Sequence, residues 1–453
     1  MTPTIDRQAN PLLKGAFPLL LIFLFFIFSA VMELVPYLPK MRPQLILAVL
    51  GLLAVFGTGQ FVKVLRTPTG LCIALFTVWF IACIPFGAWP GGSYGVFTEV
   101  WSKSALMYFL TAGLLTTLPQ ANRLFRTIAY SVSILGLLAL VKNDRTGDGR
   151  LILDNTRYAN ANDLAFTLVL GLTFVGFLFL RGTRFQKVIA ALAVPPILMT
   201  VSRTGSRGVA LGVLVLAVVV VIQAKRAARI RLMVALPIIL LAILAVMPAD
   251  MRMRYTTYFG EYDYYKKFVD PRERLRAEAI DSSKARKQLL IDSLVITMRH
   301  PLLGVGPGNF EVAQNDLALA RGDPKGSWHV THNTYTELSS EMGIPGLVIY
   351  LVVLFNVFKI LNSILRTRYP GPNWQNLRQL ARSLRAACIV FLPVAFFGSF
   401  GYLPELPILA GLATALGFLA QKQRAIDRAA NAQAVHDEPL LETRLDPVAV
   451  GQY

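Results

Sequence analysis

The feature that most constrains this chain is a succession of apolar runs of about 16 to 22 residues, each long enough to cross a bilayer core. They are separated by short charged connectors and by one long polar interruption at 249–343. With 453 residues of which 55% are hydrophobic, a fold in water would leave much of this apolar surface wet, so the surrounding solvent must be lipid. A backbone in lipid has to satisfy its own hydrogen bonds, which leaves helices or a closed barrel. Barrel strands alternate apolar and polar residues over segments of about ten, and no segment here alternates in that way. The expected fold is therefore all-α, a polytopic transmembrane helical bundle. The first run, Phe17 to Val35, is followed by Pro36 and Pro39 instead of a small-residue cleavage site, and reads as a first span. Cys72, Cys83 and Cys388 lie in or beside apolar runs without CxxC spacing, as small buried hydrophobes do.

Twelve spans are expected, at 17–35, 44–62, 69–89, 104–118, 126–141, 162–180, 187–201, 208–223, 232–248, 344–362, 385–400 and 404–420. Alternate connectors are rich in Lys and Arg: Lys63 and Arg66, Arg123 and Arg126, Arg181 to Lys187, Lys225 to Arg231, Lys359 to Arg385, and Lys422 to Arg428. The positive-inside rule makes that side cytoplasmic, and an even number of spans puts both termini there. The net charge of +19 is then a topology signal with attraction to membrane lipids, and requires no nucleic-acid partner. The division is 1–248 for spans 1 to 9, 249–343 for an extracytoplasmic segment, 344–420 for spans 10 to 12, and 421–453 for a disordered cytoplasmic tail.

Two outer loops break the charge rule. One, at 142–161, carries Arg145, Arg150 and Arg157; the other, SRTGSRG at 202–208, carries Arg203 and Arg207. Such arginines are either helix-end cations snorkelling to the interface or functional groups. For the second loop the functional reading is preferred, because Gly205 and Gly208 allow a sharp turn that holds a guanidinium at the mouth of the bundle.

The long polar segment opens with Tyr255, Tyr258, Tyr262, Tyr264 and Tyr265, rings suited either to sugar faces or to the headgroup zone. Leu290, Ile291, Leu294, Val295 and Met298 then form one apolar stripe of a helix too polar to span. That helix should lie along the membrane surface with Arg286 near its start, as part of a helical lid between spans 9 and 10. In HPLLGVGPGNF, Pro301 ends the helix and Gly304, Gly306 and Gly308 make a turn; no strand or βαβ unit surrounds them, so this is no dinucleotide fingerprint. Thr334 and Glu337 have capping-box spacing, so a short helix should start near Thr334 and stop at Gly343 and Pro345. His332 precedes it at the bilayer edge, either structural or functional. The acidic residues outside, among them Asp144, Asp148, Asp154, Glu261 and Asp263, make no recognisable metal-ligand set, and no cofactor is expected.

Taken together, SRG at 206–208, the arginine fourteen residues before HPLLGVGPGNF, the pair His332–Asn333 and the E-x-G at 341–343 resemble the O-antigen ligase and polymerase superfamily. The resemblance is specific over 202–347 and is supported by NANDLA at 160–165. It implies a metal-independent glycosyltransferase of the bacterial inner membrane that moves a glycan from an undecaprenyl diphosphate carrier on the periplasmic side. By this resemblance Arg207 and Arg286 bind the diphosphate and His332 is the general base, with His329 as a competitor for that role. Arg203, Asn333 and Glu341 are supporting candidates, Glu341 either orienting a partner or capping a helix. Cationic stabilisation suits a diphosphate leaving group, and a single displacement would invert the anomeric carbon. The reading is a ligase acting on lipid A core or a similar acceptor, with a polymerase of repeat units as its rival. Transport is the expectation of another class, and it would call for paired repeats and ionisable residues at mid-membrane.

Overall fold

The computed structural model describes residues 10–247, 252 and 271–437. The tyrosines at 255–265 and the acidic Glu261 and Asp263 lie outside the described residues, as do positions 438–453 of the expected tail. The helices are α1 (Pro11–Ser29), α2 (Val31–Leu34), α3 (Pro43–Gly57), α4 (Gln60–Leu65), α5 (Pro68–Cys83), α6 (Pro90–Val96), α7 (Ser102–Leu114), α8 (Leu118–Lys142) and α9 (Ala161–Arg181). They continue with α10 (Arg184–Arg203), α11 (Arg207–Gln223), α12 (Arg226–Val246), α13 (Pro271–Arg299), α14 (Phe310–Ala320), α15 (Thr334–Arg366), α16 (Pro372–Ala395) and α17 (Glu405–Asp437). No strand occurs among the described residues.

Among the described residues, eight segments are long and apolar enough to cross a membrane: 11–29, 39–57, 68–86, 118–142, 161–181, 184–203, 226–245 and 334–366. The expected span at 208–223 is the shorter apolar helix α11. Those expected at 104–118, 385–400 and 404–420 correspond to α7, the end of α16 and the start of α17, none of which is among the eight. All three are well covered by neighbouring helices. From Leu406 to Ala420 almost every side chain of α17 is buried, and its close approach to α7 depends on Gly411, where a Cβ would strike Thr111. Helices wrapped by other helices pack through small residues and need less overall hydropathy than lipid-facing ones. Coverage also differs widely among helices of similar hydropathy: α9 is 72% buried over its apolar window and α12 0% buried. α9 is central and α12 peripheral.

α17 continues to Asp437, so residues 421–437 are helical where a disordered tail was expected. Polar contacts to α16 and its approach hold the extension: Trp374 Nε1 donates to Asp427 at 2.6 Å, Asn373 to Gln423 at 3.1 Å and Arg424 to Thr367 at 2.9 Å.

α13 also differs from expectation. It buries a mixed face, with Leu289 and Ile296 against Val305, Phe310 and Leu317, and with Thr297 bonded to Ser339 of α15 at 2.8 Å. Buried Asp292 accepts from Gln288, Gln314 and Arg321, which ties α13 to α14. Of the expected apolar stripe, Ile291, Leu294 and Met298 stay exposed, Val295 packs beside this cluster and Leu290 turns to a cavity described below. Helical periodicity identified the helix, but tertiary partners selected which face is covered.

α15 is two helices joined at a kink. Gly343 has φ 70° and ψ 179°, Ile344 N–H donates to Pro301 O at 2.8 Å, and a Cβ at 343 would collide with Leu302 O. The break falls at the expected Gly343, but the helix cap differs. Asn333 is the N-cap, accepting from Tyr335 N–H at 2.9 Å and Thr336 N–H at 3.2 Å, while Glu337 accepts from Gly401 N–H at 3.0 Å instead of closing a capping box. Gly343→Ala is expected to lower the thermal midpoint in detergent through left-handed strain of about 1–3 kcal/mol plus the carbonyl clash. Fluorescence-detected thermal unfolding measures this, and an unchanged midpoint would refute it.

Candidate active site

Three turns meet at one end of the bundle. The first joins α10 to α11: Gly205 takes a left-handed φ of 60°, Ser206 is the helix N-cap and Arg207 is the first helical residue. Gly208 matters for a different reason from the one expected. Its backbone is helical, but a Cβ there would strike Phe397, so its absence lets α11 close on the turn after α16.

The second turn carries His332, whose φ of 52° is a left-handed conformation rare outside glycine. Neighbours hold it there. His332 N–H donates to Ser399 Oγ at 3.1 Å, Thr331 Oγ1 shares a hydrogen bond with the same hydroxyl at 3.1 Å, and Asn333 is committed to its cap. Thr334 Oγ1 donates to Gly398 O at 2.7 Å and accepts from Phe400 N–H at 2.9 Å, locking this turn against the third, at 396–401. A non-glycine residue kept left-handed by this many bonds is the kind of stored strain that clusters at functional sites.

A cavity of about 190 Å³ opens between these turns and α13, lined by Arg207, Arg286, Lys287, Leu290, Thr331, His332, Asn333, Phe396 and Phe397. Arg207, Arg286 and His332 are thus brought together from positions far apart in sequence. The lining holds three permanent cations and no carboxylate among the described residues. The N-termini of α11 and of α15 both end here, adding partial positive charge. Asn333 is 3% exposed; its Oδ1 is used by the cap, while its Nδ2 has no hydrogen-bond partner. A buried unsatisfied donor lining a cationic cavity suits an anionic or hydroxylated ligand.

The imidazole of His332 is half-buried, and burial is the main reason its pKa falls from 6.5 to about 4. Arg286, His329 and Arg150 add repulsion, in that order. The ring is therefore neutral at pH 7, as a proton acceptor must be.

The other sequence candidates lie around the cavity. His329 is exposed, with its ring centroid 6.5 Å from that of His332, and does not line the cavity. Arg203 closes α10 away from the lining, its Nε buried without a hydrogen bond. Glu341 is a clamp: its carboxylate accepts from Gly308 N–H at 2.7 Å, Phe310 N–H at 3.2 Å and Tyr402 O–H at 2.7 Å. It thereby caps α14, a helix other than its own. Among the described residues no group of three or more His, Cys, Asp or Glu is placed to hold a metal ion.

The three arginines of the 142–161 loop separate cleanly. Arg145 is exposed and bonds Asn143. Arg157 pairs with Glu405 at 2.8 Å, and its N–H donates to Glu33 at 2.6 Å, joining the loop to both ends of the chain. Arg150 reaches inward: its Nε donates to Thr204 O and one terminal nitrogen to Asn162 Oδ1, each at 2.7 Å, and its charge acts on His332. Sequence reasoning named Arg150 only as a topological exception. Lys287 it passed over, although adjacency to Arg286 was a usable signal; Phe396 and Phe397 carried none, because only the folded chain brings them beside Arg207.

This fold and cavity define an integral-membrane protein with a cationic, histidine-bearing pocket at one end of its helical bundle. Residues 192–351 match the family model described as O-Antigen ligase, and the match supports a place for this segment in the O-antigen ligase superfamily. The matched residues include Arg203, Arg207, Arg286, His329, His332, Asn333 and Glu341, whereas Arg150, Phe396 and Phe397 fall outside them. With the apolar helices, this match points to a glycosyltransferase-type function in O-antigen or polysaccharide biosynthesis, in a bacterial integral membrane protein. No curated protein matches the chain.

Proposed function

We propose that the chain transfers a glycan from an undecaprenyl diphosphate carrier to an acceptor hydroxyl at this cavity, as a ligase whose acceptor is lipid A core or a similar glycolipid. The observation that carries the reading is the single cavity shared by Arg207, Arg286 and His332. In the reaction the acceptor oxygen attacks the anomeric carbon while its proton passes to His332. The bond from that carbon to the diphosphate oxygen breaks, and undecaprenyl diphosphate leaves with the electron pair. Arg207 and Arg286 take up the growing charge through forked donors, Lys287 adds a point charge, and Asn333 Nδ2 donates to a phosphate oxygen. One displacement inverts the anomeric carbon, and these groups require no metal.

In this reading the twelve-span arrangement holds, with α7, the end of α16 and the start of α17 crossing as protein-wrapped helices. The cavity then opens at the periplasmic face of the inner membrane and both termini are cytoplasmic. The 249–343 segment is the lid, and Ile291, Leu294 and Met298 of α13 rest on the bilayer. The polyprenyl tail stays in lipid while its headgroup reaches the cations.

The test is transfer in vitro from purified lipid-linked glycan, with EDTA, offering lipid A core or additional donor alone. Product on core supports the ligase; ladders built from donor alone identify a polymerase. No consumption of donor by folded protein would refute both. Arg150 provides a separate check. Arg150→Ala removes one cation facing His332 and is expected to move the acid limb of kcat/KM upward from about 4, whereas Arg150→Lys keeps the charge and holds the limb while loosening the Thr204 turn. Identical pH profiles for wild type and Arg150→Ala would limit Arg150 to a structural role.

A further inference from the structure

A second and larger cavity, of about 330 Å³, lies between the 84–88 turn, the C-terminal end of α13 and α14. Its polar lining is Arg299, His300 and Asp316, none of which makes a side-chain hydrogen bond or ion pair with another described residue. Phe86, 67% exposed, provides an aromatic face at the same cavity. The wall is built by the GVGPGN turn. Ala88 N–H donates to Val305 O at 2.8 Å, and Gly306 takes a φ of 93° with its missing Cβ directed at Gly87. A side chain at either glycine would wedge the turn away from the 84–88 segment.

The two cavities differ in charge. The first presents Arg207, Arg286 and Lys287 without an acid; the second presents one guanidinium, one imidazole and one carboxylate. A cationic pocket selects an anion, whereas neighbouring donor and acceptor groups with an apolar ring beside them match a neutral polyol, whose hydroxyls both give and accept hydrogen bonds. Both cavities draw on α13, and Arg299 stands thirteen residues beyond Arg286, about 20 Å along a helix axis. That is a separation an oligosaccharide can bridge.

We propose that this second cavity is a carbohydrate subsite. It holds a neutral sugar remote from the reacting carbon, with hydroxyls on Arg299, His300 and Asp316 and an apolar ring face on Phe86. The sugar belongs either to the transferred glycan or to the acceptor, so the proposal rests on the glycosyl-transfer reading. Binding energy gained there anchors the chain while chemistry proceeds at His332.

The experiment uses the full chain in nanodiscs and three probes: inorganic pyrophosphate, the oligosaccharide released by mild acid from the donor lipid, and delipidated core oligosaccharide. Arg299→Gln and Asp316→Asn, both at exposed positions, are expected to weaken one of the two oligosaccharides about tenfold or more and to leave pyrophosphate unchanged. Which oligosaccharide is weakened identifies the source of the sugar. Wild-type affinity for both oligosaccharides in both variants would overturn the proposal, as would wild type that binds neither. If pyrophosphate binding and transfer persist in that case, the active-site reading stands; absence of transfer by wild type would remove that reading independently.

Discussion

His332→Ala is expected to reduce glycan transfer on the order of 10²- to 10⁴-fold, the range that general base catalysis contributes, while leaving pyrophosphate affinity and the thermal midpoint close to wild type. The pH profile gives the mechanism a signature of its own. In the free protein, burial and the charges of Arg286, His329 and Arg150 hold the imidazole near 4, so kcat/KM should stay flat on the acid side until about pH 4 and fall below it as the base becomes protonated. A bound diphosphate neutralises part of that cationic field and favours the imidazolium. The acid limb of kcat, which reports the loaded protein, should therefore lie at higher pH than that of kcat/KM. Coincident limbs would separate His332 from the diphosphate, and an unimpaired His332→Ala would remove it from the chemistry, leaving His329→Ala as the decisive comparison.

Arg286→Ala and Arg207→Ala should each lower transfer on the order of 10²- to 10³-fold, as loss of a donor to the transition-state charge does. The double variant should fall short of the product of the two, since in the proposed reaction both guanidiniums serve one leaving group. Lysine at either position restores charge but not the fork and should recover only part of the rate. The two sites are not equivalent structurally. Arg207 begins α11, where the helix N-terminus reinforces it, whereas Arg286 projects from α13, which is tied to α14 through Asp292. Single-turnover transfer with saturating donor reads these effects directly. A loss confined to KM would assign the arginines to ground-state binding alone.

Much of this was legible in the residues themselves. Runs of apolar side chains require helices in lipid because an unpaired backbone group there is costly, so the fold class follows from composition and period. Proline and glycine punctuated the chain where expected: α13 ends before Pro301, and Gly343 breaks α15. Arg207, Arg286 and His332 were picked out by resemblance, which carries no distances. What local pattern could not supply was partnership. Thr334 and Glu337 have capping-box spacing, but Asn333 performs the cap because Thr334 and Glu337 are engaged by Gly398, Phe400 and Gly401. The stripe on α13 has the right period for an interface, but Asp292 and Ile296 face the protein while Leu294 and Met298 do not.

By itself, then, the sequence determined that the chain is a bundle of membrane helices with a polar insertion, where its breaks fall and which residue types are available for anion binding and proton transfer, since these depend on neighbours within a few turns. Tertiary structure alone decided that one cavity gathers Arg207, Arg286 and His332, that the charge of Arg150 acts on His332 while Arg157 is spent on Glu405, and that Phe396 and Phe397 form a wall. Those outcomes depend on contacts between segments up to a few hundred positions apart, set by close packing at residues such as Gly208 and Gly411. Local periodicity holds no information about which distant surfaces will fit together.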